Sequence, residues 1–277
     1  MASLVVAAAV LFGALIGSFL NVVAWRVPRG ESIAYPASHC PQCDHPIRRR
    51  DNVPILSWIL LRGRCRDCSA RISARYPLVE AATAVLFGLA AARLVFSGIV
   101  PEPRDVSAIV AGAALLIAFL YLAAISVALT AIDIDTHRLP NVIVYPAYLV
   151  GAVLLTVAAL ATGRWDALLT AGIGAVALFG FYLLLALVYP GGMGFGDVKL
   201  AGVLGLFLGW LGWGPLAIGA FAAFALGGVF SVIVVALRRG GRKTRIPFGP
   251  WMVAGAWVGI LAGAELSAWY LGLFGLA

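Results

Sequence analysis

Eight long apolar runs divide the chain, at residues 3–25, 78–98, 107–132, 142–162, 167–189, 198–213, 215–237 and 251–275. A helix needs about 20 apolar residues to cross the hydrocarbon core of a bilayer. The pattern therefore predicts an all-α polytopic membrane protein of about eight transmembrane helices. Seven of the runs have full membrane length. Residues 198–213 are shorter and glycine-rich, and only Trp213, Gly214 and Pro215 separate them from the next run, so a tilted or re-entrant segment is expected there. One polar stretch of any length interrupts the pattern. It sets a division into a first helix (1–25), a polar insertion (26–77) and a seven-helix membrane domain (78–277).

Composition excludes a soluble globule. Of the 277 residues, 62% are hydrophobic and only 12% charged, with a mean hydropathy of +1.00, leaving too little polar surface to face water. The net charge of +8 has a topological explanation that requires no nucleic acid. Ten arginines lie from Arg26 to Arg75, five basic residues (Arg238, Arg239, Arg242, Lys243, Arg245) lie in the last long loop, and Arg138 and Lys199 flank two acidic segments. Alternating crossings put all of these on one side and leave Arg93, Arg104 and Arg164 on the other. Loops rich in Lys and Arg stay cytoplasmic, so both termini are expected outside, with the basic rim facing anionic lipid headgroups. The first run has no basic residue before it and exceeds the usual signal-peptide core, so a retained anchor is expected.

The insertion carries all four cysteines, as Cys40-Pro-Gln-Cys43 and Cys65-Arg-Asp-Cys68. Two such knuckles suit tetrahedral zinc, because each turn lets two thiolates grip one ion and the segment needs no core of its own. Four thiolates close the coordination sphere, which makes the expected Zn2+ structural. On the expected topology the site faces a reducing compartment, which disfavours disulfides. Free or redox-active thiols are the alternative. His39 and His45 flank the first knuckle and are left out of the site.

Two aspartates stand at ends of apolar runs, and an even number of crossings between them returns both to one membrane face. Asp133 lies in Ala131-Ile132-Asp133-Ile134-Asp135-Thr136-His137-Arg138-Leu139-Pro140-Asn141, and Asp197 in Gly192-Met193-Gly194-Phe195-Gly196-Asp197-Val198-Lys199. Charge at membrane depth is costly and marks function, and paired carboxyls are the machinery of an aspartyl protease. Asp197 alone reads equally well as a helix cap. Asp133 follows an apolar run, where a helix C-terminus disfavours negative charge. The glycines beside Asp197 form a candidate active-site loop, since Gly194 and Gly196 let backbones approach closely. Asp135, about 200° around the helix from Asp133, is expected to point away. Glu80, near the same face, has no single role assigned by sequence.

The chain resembles the type IV prepilin peptidases, membrane aspartyl proteases with a Gly-x-Gly-Asp motif. The resemblance rests on Gly17-Ser18-Phe19-Leu20-Asn21-Val22-Val23, the two knuckles, Arg75-Tyr76-Pro77-Leu78-Val79-Glu80, both aspartate segments and Ile246-Pro247-Phe248-Gly249-Pro250, in that order. Asn141 departs from the pattern, many relatives having Asp there; this bears on the turn and not on the acids. The resemblance implies that Asp133 and Asp197 are the catalytic pair. It also implies cleavage of the basic leader of type IV prepilin or pseudopilin precursors after a glycine, at the cytosolic face of the bacterial inner membrane. Many such enzymes N-methylate the new terminus with S-adenosylmethionine, and methylation is expected here, with no donor-binding residues assigned. Two other classes fit parts of the pattern. A proton-coupled transporter would carry its acids near the bilayer midplane, and a noncatalytic assembly factor would tolerate loss of both aspartates.

Overall fold

The structure is a computed structural model that describes residues 2–189, 193–237 and 247–275. The elements are α1 (Ala2–Arg26), a short α2 (Leu56–Leu60), α3 (Arg75–Phe96), α4 (Val106–Thr136), α5 (Asn141–Thr162), α6 (Trp165–Val188), α7 (Phe195–Leu211), α8 (Trp213–Ala236) and α9 (Gly249–Gly272). The only β structure among the described residues is two isolated bridges. Gly192 and the basic residues Arg238, Arg239, Arg242, Lys243 and Arg245 lie outside the described residues.

All eight apolar runs are helical, and seven of these helices are long and apolar enough to cross a membrane. The eighth, α7, has 17 residues and falls short, in keeping with its brief apolar run. Local chemistry sets several boundaries. Asp105 caps α4, its carboxylate accepting the Ala108 N–H at 2.8 Å, as an N-cap acid should. That bond, with a second from the Ser107 hydroxyl at 2.8 Å, holds the Asp105 carboxyl below the usual carboxylate range. At its other end α4 stops at His137, whose left-handed backbone (φ 52) returns its N–H to the Asp133 carbonyl. Pro140 then starts α5. The helix therefore runs four residues past the apolar stretch ending at 132, and this overrun carries Asp133 and Asp135 on helical backbone.

Small residues bring the helices together. In a membrane apolar burial between helices gains little, and close packing dominates instead. On α9, Gly255, Gly259 and Gly263 face Ala223, Gly219 and Pro215 of α8, where a Cβ on Gly255 would lie 2.3 Å from the Ala223 nitrogen. On α7, Gly205 and Gly209 meet Gly174 and Thr170 of α6, with a Gly205 Cβ falling 2.2 Å from the Gly174 carbonyl oxygen. Gly13 and Gly17 of α1 receive Glu80, Ala84 and Phe87 of α3 in the same way. The result is a bundle centred on α7, in which the thirteen residues from Val198 to Trp210 are all buried.

Candidate active site and metal centre

Asp133 and Asp197 come together at one end of the bundle. Both line a cavity of about 450 Å³ with His137, Asn141, Gly196 and Lys199, and the two acids are close enough to interact electrostatically. Asp133 projects from the last turn of α4 and is 4% exposed, while Asp197 sits half-buried in the first turn of α7. The Gly249 N–H, first in α9, donates to Asp133 Oδ2 at 3.0 Å. The Gly194 N–H, just before α7, donates to Asp197 Oδ2 at 3.1 Å. Each acid thus meets the positive end of a helix, which offsets the cost of negative charge in this setting. For Asp133 the compensation comes from a different helix than its own, a solution the local sequence does not display.

The surrounding glycines differ in what they permit. A Cβ on Gly249 would stand 2.6 Å from Asp133 Oδ2, and one on Gly196 would stand 3.0 Å from Leu139 Cβ. On Gly194 the nearest atom would be Asp197 Oδ2 at 3.4 Å, an ordinary contact. Nothing local assigns Gly249 this task; its one signal in the sequence is a Gly-Pro pair opening a span. Lys199 is buried beside the acids. Its ammonium donates to Asn141 Oδ1 and lies 5.3 Å from the Tyr145 and Phe195 rings, placing a cation in the same cavity.

Asp135 leaves the cavity, as its position on the helix requires. It pairs with Arg75 at 2.5 Å, and Arg75 also donates to the Ala131 carbonyl at 3.2 Å, tying the start of α3 to the end of α4. Together they border a separate, largely apolar groove of about 530 Å³ between α3, α4 and α9. Glu80 is buried, and its Oε2 accepts the Ile55 N–H at 2.6 Å, fastening the insertion to α3.

In the insertion, the ligand atoms of Cys40, Cys43, Cys65 and Cys68 all lie within 4.8 Å of one another. Cys40 Sγ and Cys68 Sγ are 3.8 Å apart, about the edge of a tetrahedron with Zn–S bonds of about 2.3 Å. The two knuckles are built alike. The Asp44 N–H returns to the Cys40 carbonyl and the Ser69 N–H to the Cys65 carbonyl, with Asp44 (φ 55) and Ser69 (φ 61) in the left-handed region. A backbone hydrogen bond from Gln42 draws the Cys40 thiol down to about 7. The backbone at His45 favours ionisation of Cys43, but burial and the crowding thiols outweigh it and push that group up to about 12. Four sulfur donors gathered this closely from two turns are what a divalent cation would hold as thiolates, so the donor set fits zinc. His39 and His45 are not part of the cluster. The inner residues of the second knuckle brace the intervening segment, Arg66 gripping Asp51 at 2.6 Å and Asp67 receiving Arg48 at 2.6 Å.

Comparison with known proteins gives a consistent result. Residues 11–94 match the Bacterial Peptidase A24 N-terminal domain, and residues 120–232 match the Type IV leader peptidase family. A prepilin leader peptidase/N-methyltransferase of Aeromonas salmonicida is 36% identical over 287 residues, spanning 94% of this chain and 92% of the relative. Proteins of the same name from Pseudomonas aeruginosa (34% identical, 95% of this chain and 92% of the relative) and Neisseria gonorrhoeae (34%, 90% and 88%) align comparably. No solved structure matches the chain.

Proposed function

The chain belongs to the type IV leader peptidase family, and from that premise we propose that it is a membrane-embedded aspartyl endopeptidase. It removes the leader of type IV prepilin-like precursors and then N-methylates the new amino terminus. The observation that carries the reading is the convergence of Asp133 and Asp197 on one cavity, each with one carboxylate oxygen held by a glycine N–H. On this reading the other oxygen of each carboxyl is left to the water molecule and the peptide bond.

Like charges in one site do not both ionise cheaply, so the pair shares a proton. The ionised carboxylate takes a proton from water as it attacks the scissile carbonyl, and the protonated partner donates to the carbonyl oxygen. The resulting tetrahedral diol collapses when a proton passes to the leaving amine. The pair titrates as a unit, and the two roles belong to the dyad. Gly194 and Gly196 hold the loop that admits an extended substrate. A proton-coupled transporter fits less well, because these acids occupy the terminal turns of α4 and α7.

Cleavage after a glycine, at the cytosolic face of the inner membrane and with both termini outside, follows from the same reading and the arginine distribution. Cys40, Cys43, Cys65 and Cys68 hold a structural Zn2+ that folds the insertion. S-adenosylmethionine supplies the methyl group; this part rests on the names of the relatives, and no residue is assigned to the donor.

The test is incubation of the purified protein with a prepilin and labelled S-adenosylmethionine, followed by mass spectrometry of the product. The expected outcome is a new N-terminus immediately after the leader glycine, carrying one labelled methyl group. An unprocessed precursor overturns the peptidase reading, and a cleaved but unlabelled product removes the methyl transfer alone.

A further inference from the structure

We propose that α2 is an interfacial foot, a short apolar element that lies at the headgroup–acyl boundary and presses the four-cysteine insertion onto anionic lipid. Nothing in the peptidase reading requires it. Leu56, Ile59 and Leu60 share one face of α2 at positions i, i+3 and i+4 and are 52%, 57% and 71% exposed. The opposite side is anchored inward. Ser57 is buried and donates to the Arg50 carbonyl, and Trp58 donates to the Ile72 carbonyl at 3.1 Å. The apolar stripe is thereby locked facing outward, the inverse of a water-facing domain.

Depth gives the stripe its occupant. The Ile55 N–H, just before α2, reaches Glu80 of α3, and Glu80 lies two residues inside the apolar run that begins at Leu78. Helical side chains lean toward their N-terminus, which sets Ile55 near the start of that run, where acyl chains meet headgroups. Ile55 holds a φ of 62, uncommon for a β-branched residue, and the bond to Glu80 fixes it there. Charge completes the match. Exposed Arg49, Arg50, Arg62 and Arg64 bracket α2, and Asp51, the acid among them, is gripped by Arg66. An apolar face ringed by cations at this depth suits a bilayer with anionic headgroups.

The experiment uses the whole protein in lipid nanodiscs of phosphatidylcholine and phosphatidylglycerol, with photoreactive benzoylphenylalanine introduced singly at Leu60, at Leu15 and at Gln42. Leu15 is exposed on the membrane-spanning α1, and Gln42 lies on the first knuckle. After irradiation, mass spectrometry is expected to find phospholipid adducts at Leu60 as at Leu15, and few at Gln42. With Arg62→Gln and Arg64→Gln together, or with phosphatidylglycerol omitted, the Leu60 yield is expected to fall about fivefold or more, since a basic residue near the surface contributes about 1 kcal/mol. Absence of lipid adducts at Leu60 while Leu15 labels overturns the proposal. So do adducts at Leu60 confined to protein, which would make the stripe a protein interface. Equal yields with and without phosphatidylglycerol overturn its anionic-lipid part.

Discussion

The four-cysteine insertion and the aspartate cavity are built in opposite ways. Each knuckle is a contiguous turn whose own backbone sets its cysteines, and two charge pairs join the second knuckle to the segment between. The aspartate cavity takes Asp133 from α4, Asp197 from α7 and the supporting Gly249 N–H from α9, three segments that only the packed bundle brings together. The first is a local construction and the second a global one, so damage should stay confined in one case and spread in the other.

The most severe way to separate them is to remove an acid. Asp133→Asn and Asp197→Asn are each expected to lower prepilin cleavage by about 10³-fold or more, at the upper end of general acid–base contributions. Metal content, measured by atomic absorption, is expected to stay unchanged. Full cleavage by either variant removes that residue from the dyad.

Gly249→Ala sharpens the contrast without touching a charge. Its methyl would collide with the Asp133 carboxylate, and a displacement of about 1 Å at a reacting group can cost about 10²-fold in rate. Gly172→Ala, in open space on α6 and away from the cavity, serves as the control and is expected to retain activity within a few-fold. Equal losses at the two positions would refute the steric account.

Cys65→Ser attacks the local region. Zinc is expected to drop from about one ion per chain to nearly none, with faster proteolysis between Arg48 and Arg71 and little change in the thermal unfolding of the bundle. Arg75→Ala is expected to be mildest. Its pair with Asp135 is partly exposed on both sides, and such pairs contribute about 1 kcal/mol or less, a loss visible only as a small fall in midpoint on thermal unfolding.

The same contrast explains what could be read from sequence. Hydropathy is a local signal, and it located the eight helices to within a few residues at most ends. It missed the last turn of α4, because polar residues continue a helix once it reaches the interface. The cysteine cluster was legible from spacing, since the spacing is the site. Gly249 was not, because its task depends on a carboxylate more than a hundred residues away in the chain. Glu80 lacked a role for the same reason, its partner being a backbone N–H in the insertion. The short α2 went unseen because five residues carry too little periodicity to register against a polar stretch.

The centre of the bundle has a consequence for how the protein is made. Neighbours enclose α7 along the thirteen residues from Val198 to Trp210, so that stretch is shielded from lipid and its short length incurs little mismatch with bilayer thickness. The same helix entering the bilayer by itself would be too brief to span it comfortably and would drag Asp197 and Lys199 along. Its stable residence is therefore expected to await α6 and the α8–α9 hairpin, which would join insertion to folding for this segment.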